Sequence, residues 1–189
     1  MRNIYKIERT VAPTDLVVSL AEAKTYLGVS HSSHDELITD IIKAATEIAE
    51  TYTYVTLPQA TFKMYLDDFY DVSIPKSPII AISQIQYYNS AGIQTLPEAR
   101  YELDLIGKPA RIHWDNPPTV RDYEYNNVII TFTAGHTNVS SINAGIKQRI
   151  KTVINDMYDQ RSSINATSVD FDLMKYSALF SPFAEKWYL

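Results

Sequence analysis

The chain has 189 residues, with 17 Lys plus Arg, 22 Asp plus Glu, a net charge of −5, no cysteine and only five glycines. Those glycines stand at 28, 92, 107, 135 and 145, too far apart for a glycine-rich phosphate cradle, and the missing cysteines remove disulfides, thiol nucleophiles and cysteine-based zinc sites. The acidic balance argues against a sequence-specific reader of duplex DNA, and no apolar run reaches the ~20 residues of a membrane span, so the chain reads as soluble.

Residues 1–18 read as an arm with scattered apolar positions (Ile4, Ile7, Val11, Leu16, Val17). Ser19 with Glu22 forms a capping box, and Gly28 ends the helix it opens, which predicts a helix over 19–28. Ser33 with Glu36 suggests a second capping box for a helix over 34–53. Leu37, Ile38, Ile41, Ala45, Ile48, Ala49 and Tyr52 recur at three and four along it and make its buried stripe.

From 56 to 135 the period falls to two. Phe62, Met64 and Leu66 alternate in one strand; Ile80 and Ile82, then Ile85 and Tyr87, alternate in the next, with a phase slip at Ser83-Gln84 that suggests a bulge. Asn89-Ser90-Ala91-Gly92 reads as a hairpin turn. Tyr101, Leu103 and Leu105 face away from Glu102 and Asp104, Gly107-Lys108-Pro109 turns the chain into Ala110–Trp114, and Val128–Ala134 forms the last strand before Gly135. Short strands joined by turns predict an antiparallel sheet or small sandwich. A third amphipathic helix covers 142–161, with Ile146, Ile150, Val153, Ile154 and Met157 in its stripe. The expected fold class is α+β: a helical N-terminal part and a long C-terminal helix packed with a small antiparallel sheet or sandwich insertion. The expected organisation is an arm (1–18), a single domain (19–161) and a polar, then aromatic, tail (162–189).

No catalytic template fits. The four histidines (31, 34, 113, 136) lie outside any His-Glu-x-x-His or Gly-x-Ser-x-Gly pattern. His31 and His34 suit a solvated helix entry better than a metal site. His113, beside Trp114, reads as a residue at a sheet edge, and His136 as a turn residue. Either could serve a small hydrolase together with a nearby carboxylate, which is the competing reading. Glu102 and Asp104 share a strand face, most simply its solvent side. Lys147, Arg149 and Lys151 make a modest basic group on the third helix, either a solvated face or a phosphate contact with DNA. The tail carries Tyr176, Leu179, Phe180, Phe183, Trp187 and Tyr188; such aromatics either fold back on the domain or dock into a partner. No cofactor or metal is expected.

The order of the pieces resembles the head–tail connector (adaptor) family of tailed phages. The resemblance is carried by Val18–Leu27 (VSLAEAKTYL), Asp35-Glu36-Leu37-Ile38 with Ala44-Ala45 and Tyr52-Thr53, Leu57–Thr61, Ile74–Ile79, Ile82–Asn89 with Gly92, Tyr101–Asp104, Val128–Gly135, and Tyr158–Arg161. It spans about residues 18–161. It implies a structural virion protein without an active site that forms a ring, a dodecamer, beneath the portal. Such a ring extends the channel for packaged double-stranded DNA and joins the head to the next neck or tail protein, a stopper or tail terminator. The implied location is the virion neck, with host cytoplasm during assembly. The resemblance also gives the aromatic tail a role, docking into clefts of the portal. Acidic side chains such as Glu102 and Asp104 would face the DNA channel.

Overall fold

The computed structural model describes residues 5–121, 125–160 and 173–185. The chain divides into two compact units, each built from separated stretches of sequence. This replaces the single domain expected over 19–161.

The helical unit takes residues 14–58 and the described part of 136–186. It contains α1 (Leu20–Leu27), α2 (Asp35–Thr53), α3 (Ala144–Gln160) and α4 (Leu173–Phe180), followed by a 3-10 turn, Ser181–Phe183. Helix α1 starts with a complete capping box. The Ser19 hydroxyl accepts from the Glu22 N–H, and the Glu22 carboxylate accepts from the Ser19 N–H at 2.9 Å. Gly28 ends it in the left-handed region, φ 69°, where a side chain is strained.

Helix α2 begins differently from the sequence expectation. His34 stands at its N-cap with no side-chain cap bond, and the Ser33 hydroxyl pairs with His31 Nδ1 at 2.8 Å instead. Its buried face is Ile38, Ile41, Ile42, Ala45, Thr46, Ala49 and Thr53. Leu37, placed in the stripe by its spacing, is 40% exposed. Ile38, Ile41, Ile42, Ala45 and Ala49 share one core with Ile146, Ile150, Val153 and Ile154 of α3. Each fully buried aliphatic side chain of this kind contributes about 1.5–3 kcal/mol over an exposed one.

The sheet unit takes residues 5–13 and the described part of 59–135. Its strands are β1 (Tyr5–Val11), β2 (Ala60–Leu66), β3 (Val72–Ile74), β4 (Ile79–Asn89), β5 (Gly92–Thr95), β6 (Tyr101–Asp104), β7 (Ala110–Trp114) and β8 (Val128–Ala134). They form a five-stranded sheet in the order β1-β2-β8-β4-β5 and a three-stranded sheet in the order β3-β7-β6. All strand pairs are antiparallel. The α+β class is therefore as expected.

Both sheets feed one core. Phe62, Met64, Leu66, Ile130 and Phe132 come from the larger sheet, Val72, Ile74, Ile112 and Trp114 from the smaller. In β2 burial alternates strictly, as its sequence predicts. Strand β4 slips register between Ile82 and Gln84, at the predicted bulge. Part of the expected N-terminal arm is strand β1, paired with β2 from Tyr5↔Leu66 to Val11↔Thr61. Its own sequence hides this because its outer position leaves most of its residues exposed, so it lacks the alternation of a half-buried strand.

Candidate functional site

Three places gather the candidate residues. The first is the small sheet. Strand β7 alternates Arg111 and His113 outward with Ile112 and Trp114 inward. It is the central strand, so His113 does not sit at a sheet edge as its sequence context suggested. Register sets His113 opposite Glu102, and Arg111 between Ser73 and Asp104. Asp71, just before β3, accepts from His113 Nδ1 at 2.9 Å. Two rows of polar groups result, Asp71–His113–Glu102 and Ser73–Arg111–Asp104. They line an open depression of about 390 Å³.

The electrostatics follow from the pairs. The Asp71 carboxylate lifts the His113 imidazole above its usual range, and His113 in turn holds Asp71 below the usual carboxylate range. Arg111 bonds Asp104 Oδ2 through Nη2 at 2.6 Å and lowers the Asp104 pKa. Asp104 Oδ1 meanwhile accepts the N–H groups of Ile106 and Gly107. Asp104 is thus occupied in holding its own turn.

The hydrolase reading finds a His–carboxylate pair beside a depression. That pair is 65% and 66% exposed, and water at such a surface screens the interaction that tunes a catalytic base. His136 pairs with the Ser141 hydroxyl at 3.2 Å rather than with a carboxylate, and burial lowers its pKa. Among the described residues no three His, Asp or Glu side chains come together as metal ligands, and no helix is long and apolar enough to cross a membrane.

The second place is α3. Lys147, Arg149 and Lys151 do not form one basic face. Lys151 approaches Glu22 of α1 at 3.9 Å, and both lysines help keep Glu22 ionised. Arg149 points elsewhere: its guanidinium lies 5.0 Å from the centre of the Phe183 ring. Its Nε is buried and has no hydrogen-bond partner among the described residues. Spacing along the helix separates Arg149 from the lysines, but the sequence carried no sign of its aromatic platform.

The third place is the C-terminal segment. Tyr176 and Phe180 are 3% and 0% exposed and belong to the core of the helical unit. This corrects their assignment to a partner's clefts, because their rings already fill their own unit. Leu179 and Phe183 are half-buried against the same core. Trp187 and Tyr188 lie outside the described residues. The segment is fixed further by Lys175 to Asp156 at 2.6 Å and by the Glu185 N–H donating to the Thr53 carbonyl at 2.9 Å. Of the two fates its aromatics allowed, folding back describes Tyr176 and Phe180.

Residues 17–96 match the family model described as "Phage gp6-like head-tail connector protein". No curated protein matches the chain. Among solved structures the chain is similar to one from the "Neck of empty GTA particle computed with C6 symmetry", with TM-score 0.76, 19% identity and 97% of each chain covered. It is similar at TM-score 0.74 to one from the "Virion of native gene transfer agent (GTA) particle". A third match, at TM-score 0.73, comes from the "Neck of native GTA particle computed with C12 symmetry". The latter two also share 19% identity and cover 97% of each chain. At that identity the likeness establishes the fold over nearly the whole chain.

Proposed function

We propose that this chain, which carries a phage gp6-like head-tail connector segment over residues 17–96, is a structural head–tail adaptor of a virion neck. The family match carries the reading. The fold likeness supports extending it beyond residue 96, since it runs over 97% of the chain. The similar chains come from necks treated with six- and twelve-fold symmetry, which supports a ring of identical subunits and favours a dodecamer. Its partners in this reading are the portal above and a stopper or tail terminator below, with packaged double-stranded DNA passing through. Assembly takes place in the host cytoplasm.

The role is that of a binding protein rather than an enzyme. The exposed Asp71–His113 pair supports this, because it lacks the enclosed setting in which such a pair becomes a strong base. In this reading the C-terminal segment meets the portal through the exposed parts of Leu179 and Phe183 and through Trp187 and Tyr188. Purified chain should join portal-bearing heads, and imaging of those heads should show added density of ring symmetry at the portal vertex. Heads that bind no chain at saturating concentration refute the adaptor reading. Removal of residues 186–189, beyond the turn and the Glu185 bond, should abolish attachment while leaving the far-ultraviolet spectrum of the chain unchanged. Retained attachment refutes the tail's role.

A further inference from the structure

We propose that Arg149 anchors a contact between two copies of this chain, taking a carboxylate from the exposed face of α2 of the second copy. The inference rests on the ring reading above. The starting observation is an unsatisfied group. Arg149 has no ion pair among the described residues, and its Nε is buried without a hydrogen bond. A half-buried guanidinium without a carboxylate is costly, and because Nε is sealed inside the chain, a carboxylate from another copy would have to meet the Nη groups. The side chain is also held in place. Its guanidinium lies over the Phe183 ring, and the glycine at 145 leaves room for that ring: a Cβ there would sit 2.6 Å from Phe183 Cζ, and the ring would have to shift. The result is a preorganised cation on an aromatic platform, suited to bidentate capture of a carboxylate.

The complementary half is in the same chain. On α2, Glu36 is exposed and has no ion pair among the described residues, and Leu37 beside it is 40% exposed. One turn on, Asp40 is exposed and close to Lys43 at 3.2 Å. An anion beside an aliphatic side chain on one helix thus matches a cation beside an aromatic ring on another. Two unlike patches on one protomer give a heterologous contact, which closes into a ring when its rotation divides the circle. DNA is the weaker occupant for Arg149. Backbone binding needs several cations acting together, while Lys151 lies 3.9 Å from the Glu22 carboxylate and the chain as a whole carries −5.

The test measures assembly of the full-length chain against protein concentration by sedimentation and native mass spectrometry. Wild type should form rings. Arg149→Glu and, separately, Glu36→Arg should each raise the assembly midpoint at least tenfold. Arg149→Lys should weaken assembly too, because an ammonium lacks the planar fork. The exchanged pair, Arg149→Glu with Glu36→Arg, should restore rings, which also shows that the single variants fold. Rings that form equally well in wild type and both single charge reversals overturn the contact. So does an exchanged pair no better than the single variants, or an Arg149→Glu chain that keeps its rings but loses retention on a 30-base-pair duplex. A wild-type chain that stays monomeric at every concentration overturns the ring reading itself.

Discussion

Gly145 lies directly under Phe183: a Cβ built on Gly145 would meet Phe183 Cζ at 2.6 Å and Cε1 at 3.0 Å. The only α3 position without a side chain is therefore where the C-terminal turn rests. Helix propensity favours Ala over Gly by about 1 kcal/mol, whereas forcing an extra methyl into a packed contact costs about 1–3 kcal/mol. Gly145→Ala should therefore lower stability in the native sequence and raise it by about 0.5–1 kcal/mol when Phe183 is already Ala. Urea unfolding of the four members of the cycle measures both values. The same change in both backgrounds would mean that the two residues do not touch.

Phe180 is fully buried, and its ring joins α4 to the core made by α2 and α3. Phe180→Ala should cost about 3–5 kcal/mol, the range for an aromatic deleted from a core. An α4 that merely lies on the surface would lose under ~0.5 kcal/mol. Differential scanning calorimetry separates the two.

Glu22 carries an acid limb of stability. Its carboxylate is bonded to the Ser19 backbone N–H and hydroxyl, which lowers its pKa below the ordinary 4.5. A depressed carboxylate stabilises the fold fully above its unfolded pKa, and that contribution is lost as pH falls through the lower, folded value. Stability should thus decline below pH 4.5, and Glu22→Gln should flatten part of that decline. Ser19→Ala should cost about 1 kcal/mol at neutral pH. Guanidinium titrations between pH 3 and 7 read all three.

His113 should titrate above the ordinary 6.5, because Asp71 bonds its imidazolium. A raised histidine stabilises the fold below its unfolded pKa and ceases to do so as pH rises through the folded value. Any gain from the pair should therefore be present at pH 6 and gone in alkaline solution. Nuclear magnetic resonance of the imidazole protons gives the value directly. Asp71→Asn should bring it back toward 6.5, and an unmoved titration would show that the pair does not form in solution.

Local signals were readable where a segment's own periodicity matches its burial. Ser19, Glu22 and Gly28 bounded α1, and Phe62, Met64 and Leu66 marked the inner face of β2. The helical stripe takes in both Leu37 and Ile38 by spacing, yet only Ile38 is buried while Leu37 is 40% exposed. Strand β1 could not be seen because its partner, β2, begins forty-nine residues after Val11. The same holds for the candidate sites. The outward Arg111 and His113 were legible in the alternation of Ala110–Trp114, but their pairing with Asp104 and Asp71 depends on strand register. Arg149 and Phe183 are thirty-four residues apart, and nothing in either local pattern couples them.

The interleaving of the two units also sets a schedule for synthesis. Helices α1 and α2 are made before the sheet unit, yet α3, which completes their core, follows it. Strand β1 leaves the ribosome early and β8, two places away in the sheet, emerges more than a hundred residues later. At ~5–20 residues per second, the first strand waits roughly 6–25 s for the sheet's central member. Neither unit can close while the chain is half made. A nascent chain of this topology exposes both an unfilled helical face and an unpaired strand edge until β8 and then α3 have been made.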